Sequence, residues 1–229
     1  MMEYNDPGLK ERVIAATKST GVLPCIKSLE NATDFLAYAR AMYDGGARVI
    51  EITMTTPRVL EGIEAVGSEF RGRLYVAAGT VLDAATAREV ILHGGSLIVS
   101  PTVREEVIRT ANRYGVPVYS GAFTATECQT AMELGAAMVK IFPAALGGPK
   151  YMTNLKMVLP EINLIPSGGI SEENAAEFIR CGACAVSGAR TFMNRTMIER
   201  EGLGWITSQV ARFIGIVRKA KTETPFQPV

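Results

Sequence analysis

The chain has 229 residues, of which 48% are hydrophobic and 21% charged, as is typical of globular proteins. Its 24 Lys and Arg residues almost balance 23 Asp and Glu residues, giving a formal net charge of +1. This balance, without a basic run, argues against nucleic acid or a membrane surface and favours a small molecule as the partner. The sequence has no apolar run of 18 residues and no signal-peptide pattern in residues 1–6, so we expect a cytoplasmic protein.

Eight short apolar runs, rich in Val and Ile, follow one another along the chain, and an amphipathic stretch follows each. The runs cover residues 22–26, 48–53, 74–80, 96–100, 117–121, 137–142, 163–167 and 183–188. Continuous apolar strands are typical of a parallel sheet that is buried on both faces. Eight strand–helix repeats with right-handed crossovers predict an α/β fold of the (β/α)8 TIM-barrel type, with an open flavodoxin-like sheet as the nearest alternative.

Capping patterns predict where several of the intervening helices begin. Asn31–Asp34, Thr124–Glu127 and Ser171–Asn174 each place a capping side chain before a helical segment. Two further helices lie outside the repeat: an N-terminal helix at about 6–19, which closes the bottom of the barrel, and a last helix at about 200–219 before a tail at 220–229. We predict a single barrel domain over residues 1–229.

The cysteines and the single histidine limit the redox and metal chemistry that the chain can perform. Cys181 and Cys184 have the spacing of a redox pair or half a metal site, but they follow a helix rather than open one, which favours a packing role. The four cysteines are expected to be reduced. His93 is the only histidine, so a metal site built on several imidazoles is excluded.

Lys140 is the only one of eight lysines that lies inside an apolar run. A buried ammonium is costly, so it either pairs with a carboxylate or gives up its proton and becomes a nucleophile. Glu51 lies near the carboxyl end of the second run, and alternation along the strand points it into the barrel. The two residues therefore form either a structural ion pair or an amine nucleophile beside a proton carrier.

Two glycine-containing loops indicate a phosphate site. One follows the seventh run and the other follows the eighth, where barrels often bind phosphate through backbone N–H groups. The first contains Ser167, Gly168 and Gly169, and the second Ser187, Gly188 and Ala189. A simple tight turn is the alternative for the glycine pair.

Glycines also end the third and fifth strands. Gly79 and Gly121 either leave room for a ligand or allow a strand and a helix to pack closely.

Six segments, taken together and in order, resemble the class I 2-keto-3-deoxy-6-phosphogluconate (KDPG) / 4-hydroxy-2-oxoglutarate (KHG) aldolase family. They are IEITMTTP around Glu51, AGT at 78–80, Ser100-Pro101, Gly121 with Thr124 and Glu127, VKIFPA at 139–144 and PSGGI at 166–170. The resemblance covers roughly residues 10–192. It implies a homotrimeric barrel with a Schiff-base lysine and neither a metal nor another cofactor.

By position, the resemblance assigns the Schiff base to Lys140 and proton transfer to Glu51. It also implies that Thr80 contacts the pyruvyl carboxylate, that Phe142 packs against the substrate with Pro101 beside the pocket, and that Gly168 and Gly169 bind phosphate. A neutral amine would attack the C2 ketone, and the iminium would accept the electron pair released when C3–C4 breaks.

The chain departs from the family pattern at two positions. Thr55 stands where the family has a carboxylate-binding arginine, so Thr55 becomes a candidate substrate contact and Lys27 a candidate source of the missing charge. The Gly-Ser pair common after the eighth strand is replaced by Ala189 and Arg190. Arg190 either holds an anion or points into a subunit contact.

The resulting prediction is a reversible retro-aldol cleavage of a 2-keto-3-deoxy-6-phospho sugar acid, or secondly of 4-hydroxy-2-oxoglutarate. The products are pyruvate and an aldehyde, glyceraldehyde 3-phosphate or glyoxylate. Two alternatives remain open: a phosphate-binding barrel isomerase or synthase, in which Lys140 and Glu51 only pair, and a non-catalytic sugar-phosphate-binding barrel.

Overall fold

A computed structural model describes residues 6–27 and 35–223. Eight parallel strands form one sheet in the order β7-β6-β5-β4-β3-β2-β1-β8. The strands are β1 (Val22–Ile26), β2 (Val49–Thr53), β3 (Tyr75–Gly79), β4 (Leu97–Val99), β5 (Val118–Ala122), β6 (Met138–Ile141), β7 (Leu164–Pro166) and β8 (Val186–Gly188). Isolated parallel bridges join Leu164 to Ala183 and Ser167 to Ser187, and so bring β7 beside β8. The predicted (β/α)8 barrel is confirmed, and the open sheet is wrong.

The helices alternate with the strands and cover the outside of the barrel. They are α1 (Leu9–Thr20), α2 (Phe35–Asp44), α3 (Val59–Glu69), α4 (Ala84–Leu92), α5 (Glu105–Arg113), α6 (Ala125–Glu133), α7 (Ala144–Val158), α8 (Glu172–Arg180), α9 (Arg195–Glu201) and α10 (Gly204–Glu223). Their apolar faces and the outward faces of the strands form one continuous hydrophobic core.

The last predicted helix differs from the observed one. A separate short helix, α9, precedes α10, and the Asn194 side chain caps it by accepting a hydrogen bond from the Met197 N–H. Gly202, at φ 68°, ends α9, so α10 begins only at Gly204 and continues to Glu223.

Two of the predicted helix starts lie within the described residues, and the structure confirms both. The Thr124 hydroxyl accepts from the Glu127 N–H, while the Glu127 carboxylate accepts from the Thr124 N–H at 2.8 Å. These backbone hydrogen bonds hold the pKa of Glu127 below its ordinary value. At α8 the Asn174 side chain accepts from the Ser171 N–H at 2.9 Å. The predicted cap at Asn31–Asp34 lies outside the described residues.

The lower part of the barrel interior is an apolar plug formed by residues of seven strands and by Ala185, which directly precedes β8. The strand residues are Leu23, Val49, Ala77, Leu97, Val99, Tyr119, Met138 and Ile165. Val13 of α1 packs against this cluster, and the Thr17 hydroxyl lies 2.7 Å from the Tyr119 hydroxyl, so α1 closes the bottom as predicted. Burial raises the pKa of Tyr119, which keeps this phenol protonated.

Above this plug, strand alternation defines a second layer, the upper ring. Successive inward-facing positions in a strand are two residues apart, so each strand, or the one or two residues directly after it, contributes one residue above the apolar layer. The upper ring consists of Cys25, Glu51, Gly79, Pro101, Gly121, Lys140, Ser167 and Ser187. The interior therefore changes from apolar to polar at the carboxyl ends of the strands, where barrel enzymes carry their sites.

Among the described residues, no helix combines the length and the apolar character that a membrane crossing requires.

Candidate active site

A cavity of about 640 Å³ lies over the carboxyl ends of the strands, and the upper ring supplies much of its floor. All but one of the predicted site residues line this cavity. They are Lys27, Glu51, Thr80, Pro101, Lys140, Phe142, Ser167, Gly168, Gly169, Gly188, Ala189 and Arg190. Residues spread over more than 160 positions of sequence thus meet in one concave site, as a ligand pocket requires.

Lys140 and Glu51 face each other at the floor of the cavity. The Lys140 ammonium donates to both carboxylate oxygens of Glu51, at 3.0 Å to Oε2 and 3.2 Å to Oε1. The side chains are only 11% and 2% exposed, so little water screens the contact. A contact of this length suits a structural ion pair, and it is also short enough for a proton to pass from the amine to the carboxylate.

Gly79 and Gly121 allow a close approach to the neighbouring strand rather than to a helix, and neither glycine lines the cavity. A Cβ on Gly79 would lie 2.0 Å from Glu51 Oε1, and a Cβ on Gly121 would lie 2.0 Å from the backbone of Pro101. Gly79 is therefore needed to let the Glu51 carboxylate turn into the barrel.

Cys25 of the upper ring lies beside the same carboxylate. Burial and the negative charge of Glu51 raise the pKa of the Cys25 thiol well above its ordinary value. The thiol stays protonated, so Cys25 does not compete with Lys140 as a nucleophile.

Thr80 adopts a strained backbone conformation at the edge of the cavity. Its φ is +62°, in the left-handed region that β-branched residues rarely adopt. A strained backbone conformation of this kind costs about 1–3 kcal/mol of stability, and residues that adopt one are concentrated at functional sites. The conformation sets Thr80 at the cavity wall directly after the glycine that accommodates Glu51.

The loop after β7 has the backbone expected of an anion-binding turn. Gly168 and Gly169 have φ values of 85° and 82°, and a Cβ on Gly169 would lie 2.4 Å from the Ala145 Cβ. The Asn174 amide donates to the Gly169 carbonyl at 2.9 Å and fixes the loop. Among the described residues, the N–H groups of both glycines have no acceptor, so they are available to a ligand.

The loop after β8 completes the far side of the cavity. Thr191 donates its hydroxyl to the Ile170 carbonyl at 2.7 Å, which ties this loop to the one after β7. Arg190 is exposed, lines the cavity and has no ion-pair partner within residues 6–27 and 35–223. Its guanidinium is therefore free to meet an anion at the cavity mouth.

Thr55 is the one predicted site residue that the structure does not bring to the cavity lining. It is exposed, and its hydroxyl lies 2.9 Å from the Thr53 hydroxyl. Thr53 lines the cavity instead. Lys27, exposed at the end of β1, supplies a positive charge to the same cavity.

Several lining residues were not predicted from the sequence. Cys25 follows from period-two alternation once β1 is known, so its signal was present. Asn194, Trp205, Gln209 and Phe213 come from α9 and α10. No local pattern marks them, because only tertiary packing brings this helical segment over the barrel mouth.

The surroundings of Cys181 and Cys184 support a packing role for these two cysteines. Cys181 follows the last residue of α8, and burial raises the pKa of Cys184 to about 11. A redox pair needs a thiol whose pKa is lowered, whereas burial raises the pKa of Cys184, so these surroundings argue against a redox role. Within the described ranges, no three His, Cys, Asp or Glu side chains group together as metal ligands would.

A (β/α)8 barrel with a lysine and a glutamate in contact on its cavity floor is an arrangement that a lyase acting through an amine can use. The family model "Aldolase: KDPG and KHG aldolase" matches residues 13–209. The chain belongs to this family of aldolases.

Individual relatives agree with this assignment. The chain is 36% identical over 203 residues to 2-dehydro-3-deoxy-6-phosphogalactonate aldolase of Escherichia coli (strain K12), covering 86% of this chain and 96% of that protein. It is similar to the native KDPGal structure, with a TM-score of 0.81, 31% identity and coverage of 87% and 95%. It is also similar to KDPG aldolase from Legionella pneumophila with pyruvate captured as a covalent carbinolamine, with a TM-score of 0.79, 25% identity and coverage of 86% and 96%.

Proposed function

We propose that Lys140 forms a Schiff base with the keto carbon of a 2-keto-3-deoxy-6-phospho sugar acid, which the enzyme cleaves reversibly to pyruvate and glyceraldehyde 3-phosphate. 4-Hydroxy-2-oxoglutarate, cleaved to pyruvate and glyoxylate, is the second candidate substrate. The observation that carries the proposal is the buried contact of 3.0 Å between Lys140 and Glu51 at the cavity floor.

The proposed reaction begins with a proton transfer from the Lys140 ammonium to Glu51. The neutral amine attacks the C2 ketone, and Glu51, directly or through a water, returns protons as the carbinolamine loses water to give the iminium. Glu51, directly or through a water, then takes the proton of the C4 hydroxyl, the C3–C4 bond breaks with release of the aldehyde, and its electron pair moves onto the iminium to form an enamine. Glu51 returns the proton to C3 of the enamine, and hydrolysis of the resulting iminium releases pyruvate and restores the free amine.

This chemistry requires neither a metal nor an organic cofactor. The iminium nitrogen accepts the electron pair that a Lewis-acidic metal would stabilise in a metal-dependent aldolase. A retro-aldol step needs no redox change, so the lysine and the glutamate supply all the groups the reaction uses.

The proposed substrate has one anionic group at each end, and the cavity has a cationic or donor-rich region for each. We assign the pyruvyl carboxylate to Lys27 and Thr80, with Phe142 and Pro101 packing against the carbon chain. The phosphate is assigned to the loops after β7 and β8, through the free N–H groups of the glycine pair and Arg190. All of these residues line the same cavity as Lys140.

Borohydride trapping tests the proposal directly. Incubation with pyruvate and sodium borohydride is expected to add one reduced pyruvyl group, and peptide mass spectrometry is expected to locate it on Lys140. The other cavity lysine, Lys27, serves as the internal control, because its amine is exposed and lacks a carboxylate partner among the described residues. If Lys140 stayed unmodified under these conditions, the proposal would be overturned, and a structural ion pair of Lys140 and Glu51 would be the remaining interpretation.

Arg190→Ser is expected to raise KM for the phosphorylated keto acid by about tenfold to a hundredfold, because a charge-assisted hydrogen bond to an anion is worth about 1.5–3 kcal/mol. The value of kcat should change little, since Arg190 lies at the mouth and not at the reacting carbons. Arg200→Ser is the matched control, because Arg200 is exposed on α9 and outside the cavity lining. Equal KM values for Arg190→Ser and the unmodified enzyme would assign Arg190 to a subunit contact instead.

We also propose that the enzyme is a cytoplasmic homotrimer, as the family resemblance implies. Leu146, Met157 and Val158 of α7 are 78%, 58% and 67% exposed, which is unusual for large apolar side chains and suits a subunit contact. Native mass spectrometry is expected to show three chains per particle, and Leu146→Arg should shift the distribution towards the monomer. A monomer at all concentrations would contradict this assembly.

A further inference from the structure

Ser187 occupies a position in the upper ring that the mechanism does not use. It lies on β8, paired in register with Leu23 of β1 and bridged to Ser167. The residue is 1% exposed, and its hydroxyl oxygen is the one buried side-chain polar atom of the described residues that lacks a hydrogen-bond partner. Buried hydroxyls are nearly always paired, so an unpaired one in a ligand cavity indicates that the ligand supplies the partner.

Gln209 on α10 is a second polar side chain of the cavity without a hydrogen-bond partner among the described residues. It is 9% exposed, lines the cavity, and its amide makes no hydrogen bond with residues 6–27 or 35–223. Trp205 and Phe213, each one helical turn away on the same face, also line the cavity. The Gln209 amide therefore faces the cavity from the helix that covers the loop after β8.

The neutral character of these two groups indicates what they bind. A serine hydroxyl and a glutamine amide can each donate and accept, which matches an alcohol. The positive charges of the cavity lie elsewhere: Lys27 and Arg190 are exposed, and Lys140 is paired with Glu51. An anionic group is better served by those cations than by two neutral side chains in a largely dry region.

The position of Ser187 indicates which half of the substrate it meets. The pyruvate half is fixed to Lys140 on β6, whereas Ser187 lies two strands away on β8 and directly precedes the loop that carries Arg190. The part of the substrate between the reacting amine and that loop is the aldehyde half.

We infer that Ser187 and Gln209 bind the hydroxyl groups of the aldehyde half, and so make the enzyme selective for hydroxylated sugar acids over substrates without these groups. The inference rests on the proposed function, and of the two candidate substrates it favours the phosphorylated sugar acid over 4-hydroxy-2-oxoglutarate. The aldehyde half of 4-hydroxy-2-oxoglutarate carries only the C4 hydroxyl that both substrates share, and it lacks the second hydroxyl, which comes from C2 of glyceraldehyde 3-phosphate in the sugar acid.

The test is aldol addition of pyruvate to two phosphorylated aldehydes: glyceraldehyde 3-phosphate and 3-phosphooxypropanal, which lacks only the 2-hydroxyl group. Ser187→Ala and Gln209→Leu are each expected to lower kcat/KM for glyceraldehyde 3-phosphate by about tenfold, and for the deoxy aldehyde by less than about twofold. Ser120→Ala is the control, since Ser120 is a buried serine of β5 outside the cavity lining and should leave both values unchanged.

Two further readouts make the outcomes distinct. Because the Ser187 hydroxyl has no partner in the described structure, Ser187→Ala should not lower the melting temperature of the free enzyme. An equal fall for both aldehydes would assign Ser187 to the phosphate, and no fall for either would remove it from the site; each result overturns the inference. Pyruvate trapping on Lys140 is independent of both, so its failure would count against the proposed function instead.

Discussion

Lys140→Met is expected to lower kcat/KM for aldol cleavage by about 10⁴-fold or more, because removal of a covalent nucleophile removes the reaction path and not only a contact. Methionine keeps an unbranched chain of similar length, so the upper ring should remain filled. The ammonium that contacts Glu51 at 3.0 Å would be lost, and pyruvate trapping should disappear together with turnover.

Lys156→Met is the matched control for this variant. Lys156 is partly buried and donates to the Ile162 carbonyl at 3.0 Å, but it does not line the cavity. Its replacement should lower the free energy of unfolding and leave kcat within about twofold. Full turnover by Lys140→Met would show that the reaction does not pass through this amine, and the isomerase or synthase alternative would then lead.

Glu51→Gln is expected to lower kcat by about 10²–10⁴-fold, the usual effect of removing a positioned acid–base group. The amide keeps the size of the carboxylate and still accepts a hydrogen bond from Lys140, but it cannot take up a proton. Carbinolamine formation and dehydration should both slow, so the rate of pyruvate trapping should fall in parallel with kcat, while Lys140 remains the modified residue.

Glu127→Gln provides the comparison that separates chemistry from stability. The Glu127 carboxylate caps α6 through the Thr124 and Phe123 N–H groups, at 2.8 and 2.9 Å, away from the cavity lining. Loss of its charge should cost about 1 kcal/mol of stability with kcat unchanged. If Glu51→Gln behaved in the same way, with lower stability and normal kcat, Glu51 would be an ion-pair partner of Lys140 and not a proton carrier.

The sequence by itself determined the architecture and the buried pair of Lys140 and Glu51. Eight Val- and Ile-rich runs at regular spacing admit few parallel topologies, because crossovers share one hand and strands pair with their sequence neighbours. Alternation with period two is a local property, so the inward direction of Glu51 and Lys140 was predictable although they lie 89 residues apart. The glycine pair after β7 was predictable for the same reason: its backbone requirement is local.

Only the tertiary structure decided the lining beyond the strands. Thr55 follows a strand as a site residue should, yet the turn after β2 leaves it exposed, and Thr53 at the end of β2 lines the cavity. Gln209 reaches the cavity because α10 packs against α8 and β1, where the Arg212 and Glu172 side chains also meet at 3.3 Å. Which face of a helix meets a cavity depends on the angle at which the helix packs against its neighbours, and no local pattern in the sequence determines that packing angle.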